Sequence, residues 1–146
     1  MIALIQRVNW SRLSIDQQLH AEIGQGLLAL VGLQKSDSLE TGKRLMDKVL
    51  AYRVFADSEG KMNLSLKDID GDLLLVSQFT LAASTTKGLR PSFSSAMPPA
   101  QAEPLYNDLV AYCQQVHEFV KSGVFAADMQ IALENDGPVT FLLEAN

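Results

Sequence analysis

The chain has 146 residues, of which 47% are hydrophobic and 20% charged, the profile of a single globular domain with its own core. Twelve Lys and Arg against 17 Asp and Glu leave a net charge of -5, which excludes broad nucleic-acid binding through a basic surface and confines any RNA contact to a local site. A lone cysteine, Cys113, excludes an intrachain disulfide and points to a reducing compartment, and the opening MIALIQRVNW is too short and polar for a signal peptide or membrane span, so a cytoplasmic protein without membrane contact is expected.

Ile2 and Leu4, then Gln6 and Val8, alternate with a period of two, and Leu13 and Ile15 repeat the pattern, which predicts two strands. GLLALVGL, entered between Gly24 and Gly26, is a continuous apolar run of the kind found in strands buried on both faces. Ser36, Asp37 and Ser38 offer helix N-caps. Leu39, Leu45, Met46, Val49 and Leu50 then recur at three- and four-residue spacing, predicting a helix that ends near Tyr52. ADSEGKMN reads as a turn, and DLLLVSQFTL as another strand ending in polar residues. From Ala83 to Pro99 the richness in Ser, Thr, Gly and Pro predicts a long loop.

A second helix is expected to begin between Pro99 and Glu103 and to run through Leu105, Leu109, Tyr112, Cys113, Val116 and Phe119 to Val120, with Pro104 tolerable in its first turn. Phe125, Met129, Ile131 and Leu133 predict a strand, NDGP a turn, and VTFLLEA the closing strand. Strands, helix, strands, helix, strands is the order of an α+β domain with mostly antiparallel pairing and two main helices, spanning residues 1–146.

Common catalytic sets are missing. His20 falls in a polar hairpin stretch and His117 inside the second helix, so neither is well placed to serve a nucleophilic serine. Cys113 lies on an apolar helix stripe and reads as a packed thiol. No Cys or His spacing suits a metal and no glycine pattern suits a nucleotide, so neither a metal nor another cofactor is expected. Two segments are unusually polar: Ser77-Gln78-Phe79-Thr80-Leu81 and Asn135-Asp136-Gly137-Pro138-Val139-Thr140. Read by composition alone, the first is a strand-to-loop transition and the second a turn.

The wording of these segments says more. SQFTL and NDGPVT together resemble the two signature motifs of the D-aminoacyl-tRNA deacylase family, and IQRV, GLLALVG, YRVFADSEGKMN, LRPSF and FAADMQ agree with that family in order and spacing from Met1 to about Phe141. Departures lie outside the motifs, at Asn9-Trp10, in AASTT before Lys87, and at Pro98-Pro99 and Pro104.

The resemblance implies a hydrolase that cuts the ester between a D-amino acid, or glycine, and the 3′ end of tRNA. It implies a barrel-like sheet and a homodimer with the acyl-adenosine pocket at the subunit interface. Gly137 and Pro138, joined by a cis peptide bond, would enter the partner's pocket and occupy the space an L-side chain needs. Ser77, Gln78, Phe79 and Thr80 would line the reacting centre, with a backbone N–H near Phe79 and the amide of Gln78 receiving the oxyanion. Nothing in SQFTL could serve Thr80 as a base, so Thr80 reads as a positioning residue and the substrate's own ribose hydroxyl as the catalytic aid.

Arg7, otherwise an edge or outward-facing charge, would brace the Gly-Pro loop. Phe125 and Met129, otherwise core residues, would line the substrate pocket. Arg90 with Phe93 would meet the terminal nucleotide. Two other readings compete: a dimeric RNA-end binding module that holds without hydrolysing, and an editing domain for misacylated L-aminoacyl-tRNA, disfavoured because no synthetase body is attached.

Overall fold

The extended backbone at the N-terminus does not stop at Asn9-Trp10. The computed structural model, which describes residues 1–146, has one 14-residue strand there, β1 (Ile2–Ile15), where two were expected. The strand changes partner instead of turning. Ile2 to Val8 pair antiparallel with β3 (Gly26–Gly32), and Ser11 to Ile15 with β2 (Gln18–Ile23). Asp16 and Gln17, at φ 51 and 64, make the two-residue turn between β1 and β2, the geometry that matches the twist of a tight hairpin.

α1 (Leu39–Ala51) follows β3, capped by Ser38, whose hydroxyl accepts the Thr41 N–H at 3.2 Å. The short hairpin of β4 (Phe55–Ala56) and β5 (Met62–Leu64) leads to β6 (Asp72–Ser77), which pairs parallel with β3. α2 (Pro99–Val116) carries the chain to β7 (Val120–Ser122), parallel to β6, and β8 (Met129–Glu144) runs antiparallel along β1. The result is a six-stranded mixed sheet, ordered β2-β1-β3-β6-β7 with β8 on β1, nearly closed into a barrel, with two helices packed outside it. The α+β class, the two helices and the antiparallel majority are as the sequence implied.

β3 and β6 read as unbroken apolar runs because both their faces are covered. Leu27, Ala29, Leu73 and Leu75 pack in one cluster with Leu45, Met46 and Val49 of α1 and Tyr106 and Leu109 of α2. Leu28, Leu74 and Val76 join Val8, Leu13 and Ile23 in a second cluster. Gly42 inside α1 sacrifices about 1 kcal/mol of helix propensity, but a Cβ there would collide with Leu109 of α2.

Two expected boundaries are wrong, each for a long-range reason. α2 ends at Val116, short of Val120, because His117 turns extended (φ -145, ψ 136), the Phe119 carbonyl accepts the Leu73 N–H at 2.8 Å, and Val120 pairs beside Leu73. NDGP is no turn between strands, since β8 passes straight through it. Gln6 faces Thr140 and Val8 faces Asn135, so Asp136–Val139 bulge out opposite Arg7 alone.

Candidate active site

Because β3 and β6 are parallel neighbours, their C-terminal ends open at the same place. Val31 pairs with Ser77, the Gln78 N–H donates to the Val31 carbonyl at 2.7 Å, and the chain then tightens into a 3-10 turn over Phe79–Ala82. A cavity of about 730 Å³ lies beyond this end, a size suited to a small-molecule group. Ser77, Gln78 and Phe79 line it, with Phe93 from the long loop and Phe125 and Met129 from the approach to β8. Thr80 belongs to the same turn but not to the lining, and Arg7, Gly137 and Pro138 are absent from it.

Phe79 and Phe93 pack with their rings tilted by 51° and 5.1 Å apart while remaining 59% and 42% exposed. Exposed aromatic pairs of this kind offer a face to a nucleobase. The Gln78 amide donates to the Thr80 hydroxyl oxygen at 2.5 Å. The N–H groups of Phe79 and Thr80 open the 3-10 turn, where a helix offers donors without partners of its own. The only ionisable side chains in the lining are Lys35 and Asp128.

Both histidines are elsewhere. His117 caps α2 and is buried, not surface-placed, with Nε2 2.7 Å from the Gly71 carbonyl oxygen. Gly71 precedes Ser77 by six residues along the strand direction, about 20 Å. His20 is exposed on β2. Burial pushes the Cys113 thiol up to about 12, so it stays protonated at neutral pH. No three His, Cys, Asp or Glu side chains meet as a metal site.

Behind the cavity stands Tyr106, a buried residue of α2 that the helical spacing does not single out. Its hydroxyl donates to the Leu75 carbonyl at 2.9 Å, burial holds that hydroxyl protonated well beyond its usual range, and its ring lies 6.1 Å from Phe125. It therefore ties the Phe125 wall to β6. Lys35, Met97 and Asp128 also line the cavity without any sequence signal that singled them out.

The β8 bulge forms a second polar centre. Arg7 Nε donates to the Asp136 carbonyl at 2.9 Å and lies 3.4 Å from its carboxylate, while Nη1 donates to the Val54 carbonyl at 2.7 Å. The Asn135 side chain accepts the Val139 N–H at 2.7 Å and donates to the Thr140 hydroxyl at 2.8 Å. Gly137 has φ 136, its bond to Pro138 is cis, and both residues are exposed. A Cβ on Gly137 would approach Val139 Cγ2 to 2.7 Å and Arg7 Nη2 to 3.1 Å, so the bulge closes around a glycine. Arg7 pairs with Leu27, four residues before Val31, so the bulge lies about 13 Å along β3 from the end where its own chain's cavity opens.

The family described as D-Tyr-tRNA(Tyr) deacylase matches residues 4–144. The chain belongs to this family. Curated family members named D-aminoacyl-tRNA deacylase from Cellvibrio japonicus (strain Ueda107) and Acinetobacter baylyi (strain ATCC 33305 / BD413 / ADP1) are 56% and 57% identical over 144 residues, each covering 99% of both chains. Among solved structures, the c-Myc DNA unwinding element binding protein superposes with a TM-score of 0.96 at 36% identity, covering 100% of this chain and 99% of that one. A probable eukaryotic D-amino acid tRNA deacylase shares the fold, with a TM-score of 0.83 at 16% identity over 98% of each chain.

Proposed function

We propose that the chain is a D-aminoacyl-tRNA deacylase, hydrolysing the ester that joins a D-amino acid, or glycine, to the 3′ end of tRNA. One observation carries the reading: Ser77, Gln78 and Phe79 meet Phe125 and Met129 in one cavity of a chain matched along its length by curated deacylases. The terminal base rests against Phe79 and Phe93, placing the ester over the start of the 3-10 turn. The N–H groups there, with the Gln78 amide, take the charge that builds on the carbonyl oxygen as water attacks. The substrate's ribose hydroxyl supplies the proton relay, a role supported by the lack of any histidine in the lining.

Chirality is read by a second copy of the chain. Gly137 and Pro138, on β8, do not line their own chain's cavity, and Arg7 and Asn135 brace them as a solvent-facing loop. β8 pairs only with β1 along its length and leaves Phe141 and Leu142 exposed, an open edge with apolar cover that suits a partner subunit. In the homodimer, each Gly137-Pro138 pair enters the partner's cavity, binds the substrate amino group through backbone carbonyls and fills the space an L-side chain would need. Glycine has no side chain to be refused. A module that merely holds RNA ends is the competing reading.

A single-turnover assay with D-tyrosyl-tRNA separates these. Free D-tyrosine and intact tRNA should appear with the wild-type protein, and the Thr80→Ala variant should keep the rate within a few-fold, because Thr80 positions Gln78 and attacks nothing. Binding without release would make the chain a binding module. An acyl-enzyme on Thr80 would overturn the mechanism.

A further inference from the structure

An acidic protein that acts on RNA must keep its own charge away from the phosphates. Between Asp72 and Glu103 there is no carboxylate, and the two cations of that stretch, Lys87 and Arg90, occupy the tip of the long loop. The loop is built, not slack. Ser84 and Ser92 exchange backbone hydrogen bonds at 2.8 and 3.0 Å, the Ser95 hydroxyl donates to the Ala82 carbonyl, and the Lys35 N–H donates to the Ser95 carbonyl at 3.1 Å. Its tip is open to solvent throughout, and no carboxylate pairs with Lys87 or Arg90. Three residues beyond Arg90, Phe93 enters the cavity lining, and Lys35 lines the cavity beside the base of the loop. Asp128 is the one carboxylate in that lining.

We propose that Lys87 and Arg90 at the loop tip, with Lys35 at its base, form a phosphate-binding rim that takes the sugar-phosphate backbone of the single-stranded nucleotides just before the terminal adenosine. This rests on the deacylase reading above and adds where the RNA leaves the cavity. Two or three local cations suffice, because each phosphate neutralised releases counterions whatever the protein's net charge. Phe79 and Phe93 hold the last base by stacking, and the rim holds the backbone that leads away from it. The rim reads no sequence, so it serves any tRNA with a single-stranded 3′ end.

The Lys87→Ala/Arg90→Ala double variant, compared with wild type on two substrates, tests this. On D-tyrosyl-tRNA, kcat/KM should fall by about tenfold more than on D-tyrosyl-adenosine, an ester without phosphates. The slope of log kcat/KM against log salt should flatten by about 1.4 for two lost contacts to a single strand. An unchanged slope and KM on tRNA, or an equal loss on both substrates, would overturn the rim. Wild type inactive on both substrates would instead refute the deacylase reading. Affinity for an uncharged acceptor-stem minihelix with a CCA end still tests the rim in that case: weaker, less salt-dependent binding by the double variant supports it, and equal binding overturns it. A Lys35→Ala variant, outside the loop, should show the same preference for loss on tRNA.

Discussion

A D-aminoacyl-tRNA whose terminal ribose lacks the hydroxyl beside the ester should be hydrolysed at least about a hundredfold more slowly than the natural substrate, the scale of one lost acid-base group. The cavity gives the protein little else to use. His117 is bonded to Gly71 at the far end of β6, His20 is exposed on β2, and Cys113 is a protonated thiol sealed in the core. Thr80 accepts from the Gln78 amide and has no base beside it. The one carboxylate in the lining, Asp128, gives the prediction its sharpest rival. If the deoxy substrate reacts normally and Asp128→Asn abolishes the reaction, the base is Asp128 and the ribose role fails. Removing the same hydroxyl one nucleotide upstream should leave the rate near wild type.

Two variants that are each inactive should restore one another when mixed as subunits. Gly137→Ala or Pro138→Ala damages the outward loop, and for Gly137 the damage is explicit, since an added Cβ presses on Val139 and the Arg7 guanidinium. Gln78→Ala leaves the loop whole and removes a donor from the cavity. In a heterodimer, one site joins the intact Gln78 to the intact loop of the other chain, and its twin carries both lesions. Random exchange in a two-fold dimer makes half the dimers mixed, so about a quarter of wild-type activity should return. Co-expression with two tags must first demonstrate mixed dimers. With exchange shown, no recovery would mean that each chain uses its own loop, against the separation along β3 between the bulge and the cavity.

What could be read from the sequence follows how local each signal is. GLLALVGL matches β3 to within one residue, the strand ending at Gly32, because a strand covered on both faces is apolar along its length, and α1 starts where Ser38 offers a cap. Val116, Phe119 and Val120 fit a helix by spacing, but the open flank of β6 takes Val120 as a strand residue instead. NDGP carries every mark of a turn. Whether such a segment reverses the chain or bulges depends on the partner strand, and β1 continues past it with Arg7 filling the gap. SQFTL looks like a fraying strand end by composition, and only its resemblance to a family motif gave it weight. Tyr106 carries no local signal because its partner, Leu75, lies 31 residues away on another element.

The central claim is that this chain removes D-amino acids from tRNA and spares L-amino acids. It is tested most directly by giving one enzyme preparation the same tRNA charged with D-tyrosine or L-tyrosine and following loss of the ester. The D-ester should be cleaved at least about a hundredfold faster, the discrimination expected when the wrong enantiomer must displace a rigid loop. Equal cleavage of both esters, or faster cleavage of the L-ester, would contradict the account.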